Sequence, residues 1–175
     1  MKIFINAGHG GSDPGAVSKN GNKEKDITYK IAALTNKFLL KMGYETEFYQ
    51  QKKSVTEITQ KENISNSDLF ISIHCNSFTS STANGVEVLY FPTSIKGRQA
   101  ALIMQKSLLK NTLLNDRGIK ARDNIHVLKH TKAPAILIEL AFLSNSYEEQ
   151  LLINNKKIFV KGILDGIENI KNLLA

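Results

Sequence analysis

Five stretches of the chain are dominated by aliphatic and aromatic residues at strand-like length: KIFIN (2–6), YETEFYQ (44–50), DLFISIH (68–74), GVEVLYF (85–91) and AILIELAFL (135–143). The third and fifth are nearly continuous apolar runs, the pattern of central strands covered on both faces. Between them the apolar period lengthens. Ile27, Ile31, Leu34, Phe38 and Met42 recur at helical spacing over 26–42, and Gly43 stands where a helix ends. Ser54 to Glu57 resembles a capping box opening a short helix. Further helices are predicted over 96–113, from Ser146 onward, and along a last amphipathic segment carrying Ile158, Ile163, Ile167, Ile170 and Leu174. Strands alternating with helices predict a single α/β domain over residues 1–175. Its twisted, mostly parallel β-sheet has about six strands, with helices on both faces. In such folds sites gather beyond the C-terminal strand ends.

Length and composition narrow the classes. The 175 residues suffice for one domain with a real core, and 42% hydrophobic with 22% charged residues excludes a low-complexity or disordered chain. No apolar run approaches the roughly 18 residues of a membrane span. Met1 leads straight into a strand, so no secretory leader is visible. The expectation is a protein held in the cytoplasm until released, or one domain of a longer secreted protein. Cys75 is the only cysteine, which excludes an intrachain disulfide framework and fits a buried strand thiol. The net charge of +7 permits an anionic partner such as a cell-wall polymer, or simply solubilises. The lysines are scattered, the arginines are only Arg98, Arg117 and Arg122, and no RNP-like motif appears, so nucleic acid is not the expected partner. A monomer is expected.

Candidate chemistry lies at the strand ends. His9 follows the first strand among Gly8, Gly10 and Gly11, where the backbone can turn sharply. GHGGSDPG matches neither the dinucleotide-binding nor the Walker A pattern, which leaves a phosphate loop as a weak alternative. His74 closes the third apolar run and shares a face with Asn76, with Cys75 pointing the other way. Glu24, before the first helix, serves either the helix dipole or a ligand set. Glu139 lies inside AILIELAFL, where a carboxylate is costly unless paired, metal-bound or chemically employed. Two histidines, a ligand carboxylate and a separate buried carboxylate suit catalytic zinc with a proton-transferring base. A rival pair, His126 and His130, has i, i+4 spacing, but Val127 breaks H-E-x-x-H, and NIHVLKH leans toward strand or turn. Surface or substrate-groove histidines are expected there.

Taken together, NAGHGGSDPGA, NKEKD, DLFISIHCNS, GVEVLYF, RGIK and PAILIELAFLSN resemble, in order, the motifs of the amidase-3 family of zinc-dependent N-acetylmuramoyl-L-alanine amidases. These are the cell-wall amidases of bacteria and their phages. The resemblance runs through almost the whole chain. It implies that His9, Glu24 and His74 hold Zn²⁺ and that Glu139 is catalytic. It also implies cleavage, in peptidoglycan, of the amide between N-acetylmuramic acid and the L-alanine of the stem peptide. The departures are Asn6 where the family often has Asp, a 50–63 stretch without arginine, and Ala141 where Gly is usual, placing a methyl near Glu139. No long insertion of the kind that blocks autoinhibited relatives is present. The alternatives are a non-catalytic zinc-stabilised peptidoglycan-binding regulator on the same fold and a zinc peptidase acting on the stem peptide. The glycine-rich loop would let the first strand end abruptly and also leave room for a glycan-peptide strand.

Overall fold

The structure, a computed structural model, describes residues 1–174. Strands β1 (Lys2–Ala7), β2 (Glu45–Gln50), β3 (Leu69–Asn76), β4 (Val86–Tyr90), β5 (Asp116–Ala121) and β6 (Ala135–Phe142) form one sheet in the order β2-β1-β3-β6-β4-β5. The first four positions of that order are mutually parallel. β4 runs antiparallel to β6, and β5 parallel to β4. The two near-continuous apolar runs, β3 and β6, lie side by side at the centre, as burial on both faces requires. β5 is a largely exposed edge strand of mixed composition, so its apolar pattern is too weak to mark it as a strand.

Side-chain alternation sorts the core into two layers. Ile3 and Ile5 of β1, Ile71 and Ile73 of β3, and Ile136 and Ile138 of β6 face one way. They pack with α1 (Glu24–Lys41), α3 (Ile95–Thr112) and α6 (Lys156–Leu174) in the larger core. Phe4, Phe70, Leu89 and Leu137 face the other way. α2 (Val55–Ser65) and α4 (His126–His130) cover them, through Ile58, Val127 and Leu128. Toward the C-terminal ends of β1, β3 and β6 this second face turns polar. Asn6 pairs in register with Ser72, and His74 with Glu139. Cys75 is buried in the larger core, as its alternation requires, and Ala141 places its methyl in that same layer.

Several local expectations are corrected. NIHVLKH is a short helix, α4, because Val127 and Leu128 turn inward together onto the smaller core. At α2, Ser54 is the N-cap residue but its side chain caps nothing. Glu57 instead accepts from the backbone N–H groups of Lys52 and Lys53 and from the Tyr49 hydroxyl. The cap of α5 (Ser146–Asn154) is Asn145, whose Oδ1 accepts from the N–H of Tyr147 and Glu148. Gly43 ends α1 as expected, at φ +82°.

Phe70 is fully buried and stacks on Phe4 with ring centroids 5.7 Å apart, near the middle of the thin layer. Phe70→Ala is expected to cost about 3–5 kcal/mol in denaturant unfolding. Ile64→Ala, on the exposed face of α2, should stay within about 0.5 kcal/mol.

Candidate metal centre and active site

His9 is reached by an abrupt exit from β1. Gly8 donates its N–H to the Ile73 carbonyl at 2.8 Å, extending the β1–β3 ladder by one residue. His9 then adopts φ +61°, a left-handed conformation uncommon outside glycine. The surrounding glycines are required by close packing. A Cβ on Gly8 would lie 2.5 Å from the His74 ring, and one on Gly15 would lie 2.5 Å from the His9 ring and 2.6 Å from Glu24 Oε2. Cβ atoms on Gly10 and Gly11 would strike the carbonyls of Gln51 and Lys52. The space the missing side chains leave is filled by the protein itself, which corrects the expectation that it is kept open for a ligand.

His9, Glu24 and His74, from the β1 exit, the start of α1 and the end of β3, converge so that one ligand atom of each lies within 4.8 Å of the others. Glu24 is buried and uses both oxygens. Oε1 accepts the Cys75 N–H at 3.0 Å and lies 3.1 Å from His74 Nδ1; Oε2 accepts the Ala16 N–H at 2.9 Å and lies 3.1 Å from His9 Nε2. The far side of each ring is also engaged. His9 Nδ1 lies 2.8 Å from Asp13 Oδ2, and Asp13 is steadied by the Gln51 amide and the Gly15 N–H. His74 Nε2 lies 3.1 Å from Ser72 Oγ, which donates to Asn6 Oδ1 at 2.7 Å. The Asn6 amide nitrogen faces the carbonyls of Ala7 and Tyr49, so Oδ1 is the atom turned to Ser72. Because the Ser72 proton is spent on Asn6, Ser72 can only accept from His74. A neutral ring that donates from Nε2 to Ser72 turns its Nδ1 lone pair to Glu24, the form that suits a shared cation.

Asp13 acts likewise on His9, leaving Nε2 as an acceptor. An acceptor nitrogen facing a carboxylate is unfavourable unless a proton or a shared cation stands between them. Without a cation, burial works against a charged His9, but Glu24 and Asp13 outweigh it and raise its pKa to about 9. Burial likewise opposes charge on Glu24, yet His74 and His9 hold its carboxyl well below the usual range. The donor set fits a divalent ion. Two ligand atoms bound about 2.0–2.1 Å from a tetrahedral zinc sit roughly 3.4 Å apart; here each histidine nitrogen lies 3.1 Å from its own Glu24 oxygen, and the three ligand atoms lie within 4.8 Å of one another. Each histidine also has the hydrogen-bonded far nitrogen typical of metal-binding imidazoles.

Glu139 is beside the triad, opposite His74 across β3–β6 and opposite Glu87 across β4–β6. Its Oε2 is buried and has no hydrogen-bond partner among the described residues. Burial pushes its pKa well up, and the charges of Glu24 and Glu87 add to the effect. Glu139 is thus a carboxyl kept out of the structural ion pairs and turned to the same face as the triad. Glu87 is the opposite case, a buried carboxylate bound by Arg117 Nε at 2.8 Å, Lys120 Nζ at 2.6 Å and Asn76 at 3.1 Å.

His126 and His130 stand apart from the triad, rings 4.5 Å apart, with no carboxylate or thiol joining them in a ligand cluster among the described residues. His126 lines a cavity of about 130 Å³ that also touches His9, Asp13, His74, Val55 and Ile58, which makes it a groove histidine. Asp13, Ser72 and Glu87 were not singled out in the sequence. Ser72 carried a signal, since it interrupts an otherwise apolar central strand much as Glu139 does. Asp13 is disguised as a turn residue before Pro14. Glu87 alternates with valines as a solvent-facing position would.

The profile of the N-acetylmuramoyl-L-alanine amidase family matches residues 3–169. The chain is 34% identical over 170 residues to the probable cell wall amidase LytH of Staphylococcus epidermidis, covering 95% of this chain and 57% of that one. It therefore spans little more than half the length of the curated relatives it matches. Among solved structures, it resembles the N-acetylmuramoyl-L-alanine amidase of Clostridium difficile 630 with TM-score 0.92 and 30% identity, covering 98% and 97% of the two chains. The catalytic domain of CwlV, an N-acetylmuramoyl-L-alanine amidase of Bacillus (Paenibacillus) polymyxa var. colistinus, superposes with TM-score 0.91 and 31% identity, covering 98% of each chain.

Two predictions follow from the packing and the charges. Gly8→Ala forces the His74 ring away and Gly15→Ala displaces His9 and Glu24. Each should lower divalent-metal affinity by at least about tenfold in a chelator-competition titration, the scale seen when a ligand's support is lost. In metal-free protein, a His9 pKa raised above the ordinary 6.5 contributes stability that is complete below 6.5 and lost as pH rises through about 9. The lowered Glu24 pKa contributes stability present above 4.5 and lost in acid. Melting temperature with chelator present should therefore be highest between about pH 4.5 and 6.5 and fall on the alkaline side, and His9→Gln should flatten that alkaline limb.

Proposed function

We propose a function from one premise: the chain belongs to the N-acetylmuramoyl-L-alanine amidase family. On that premise residues 1–175 are a catalytic domain that acts at the cell wall. It hydrolyses the amide joining N-acetylmuramic acid to the L-alanine of the peptidoglycan stem peptide. The observation that carries this reading is the convergence of His9, Glu24 and His74 beside Glu139, whose buried Oε2 has no hydrogen-bond partner among the described residues.

His9 through Nε2, Glu24 and His74 through Nδ1 are the residues that would hold zinc. Zinc bound there supplies Lewis-acid chemistry, polarising the amide carbonyl and making water acidic enough to react near neutral pH. Asp13 and Ser72 keep the two rings turned with their lone pairs inward. Glu139 takes a proton from the attacking water at its carboxylate and returns it to the departing alanine nitrogen. The reaction thus needs no covalent intermediate, and Cys75, buried in the larger core, has no part in it. Burial raises the proton affinity of Glu139, which suits it to accept the proton from water. The positive net charge adds attraction to anionic wall polymers.

Glu139→Gln preserves shape and removes the base. Release of new alanine amino groups from purified sacculi should drop by about 10²–10⁴-fold, with zinc content and melting temperature near wild type. Glu24→Gln should instead lose zinc itself, read by elemental analysis after dialysis. Product masses distinguish a cut at the muramic acid–alanine amide from a cut within the peptide. Substantial turnover in Glu139→Gln, or equal zinc loss in both variants, would overturn the assignment of roles.

A further inference from the structure

The polar face of the sheet does not end at Glu139. Glu139 is opposite Glu87 in register, and Glu87 binds Arg117 and Lys120 of β5, so a row from His74 through Glu139 and Glu87 reaches two cations at the sheet edge. Their side chains are 35% and 30% exposed, unlike Glu87, which is buried. The guanidinium is fixed in plane by two contacts: Nε donates to Glu87, and the group lies over the Phe142 ring at 4.7 Å. Its outer edge is left largely unspent. One terminal nitrogen makes only a 3.4 Å contact with the Asn84 carbonyl, and the other has no hydrogen-bond partner among the described residues. Lys120 Nζ gives one hydrogen bond of the three it can donate. Glu148, the other carboxylate near Arg117, is turned to the backbone N–H groups of Gly85 and Phe142 and offers it no hydrogen bond.

We propose that Arg117 and Lys120 form a recognition site for a free carboxylate of the stem peptide, within two residues of the scissile amide. This rests on the amidase reading and adds a preference for acidic stems. A pre-oriented guanidinium edge beside an ammonium is the arrangement that binds a carboxylate through charge-assisted hydrogen bonds. The span is counted from Glu139, which works at the scissile amide from β6: two strand spacings, about 9.6 Å, separate β6 from β5, and both cations reach back from β5 to Glu87 on the intervening β4. Two residues of extended peptide reach about 7 Å, and a carboxylate on the second extends a little farther. Glu87 serves as the buried anchor that holds both cations at that distance and absorbs part of their charge when no substrate is bound.

The test uses two muramyl peptides that differ only at the second stem residue, one bearing the free α-carboxylate and the other its carboxamide. The zinc-loaded wild-type protein should favour the carboxylate form by about tenfold or more in kcat/KM, mostly through KM. Lys120→Met should bring the ratio close to one, and Arg117→Lys, which keeps charge but loses the fork, should reduce it. Glu87→Gln, which removes the anchor's charge but leaves both cations, should retain a clear preference, which separates substrate recognition from a purely structural ion cluster. Calorimetric binding of the same two peptides to zinc-loaded Glu139→Gln reads the preference without turnover. If neither peptide is cleaved but the carboxylate form binds more tightly, the amidase reading fails and this site stands. A wild-type ratio near one, or a ratio unchanged in Lys120→Met, overturns the proposal.

Discussion

The buried Glu24 carboxylate is the interaction on which the arrangement depends. Burying a charge is costly unless its oxygens are fully occupied. Here the two oxygens collect two backbone N–H groups and two imidazoles from segments far apart in sequence. The Ala16 N–H fixes the return of the loop from β1, the Cys75 N–H fixes the end of β3, and Glu24 itself opens α1. One group therefore joins the start of a helix to the ends of two neighbouring strands. The left-handed His9 and the glycines packed on the histidine rings are consequences of bringing three chain segments to that one point. The same arrangement leaves both histidines with lone pairs facing a negative charge, a conflict that only a positive species can relieve.

Much of this was legible in the sequence, and the reasons are specific. β3 and β6 were visible because strands buried on both faces read as unbroken apolar runs. α1 and α6 were visible because their buried stripes recur at helical spacing. The four candidate site residues, which the structure brings together, stand out because each breaks a local pattern or stands in an ordered motif: a histidine ending an apolar strand, a carboxylate inside one, a histidine among glycines. β5 was obscured because an edge strand buries too little to impose alternation. α4 was misjudged because five residues cannot display a period. The support given by Asp13 and Ser72 was hidden for another reason. Both are small polar residues whose role exists only once the chain has placed them behind a ring.

The departures from the family pattern acquire physical content. Asn6 has an amide that donates to two carbonyls and accepts from Ser72, so it fixes the direction of hydrogen bonding through Ser72 to His74 without adding a charge. Ala141 puts its methyl into the larger core, so the extra carbon bears on helix packing rather than on the reacting face. The 50–63 stretch without arginine ends in α2, whose Val55 and Ile58 form an apolar wall of the groove.

The two faces of the sheet are unequal. Of the candidate metal ligands, Glu24 is tied to the thick side by opening α1 and accepting the N–H of Cys75, while the His74 ring stands on the thin face. The groove wall of α2 and α4 covers a core of few residues and is fastened to the rest by the Glu62 carboxylate, which accepts from the N–H groups of Lys132 and Ala133. Cooperative units that bury little apolar area open at lower free energy than the molecule as a whole. The wall buries less apolar area than the opposite layer, which puts it at the low-stability end of the molecule. Local opening there bears directly on the groove that Val55 and Ile58 line together with His9 and His74.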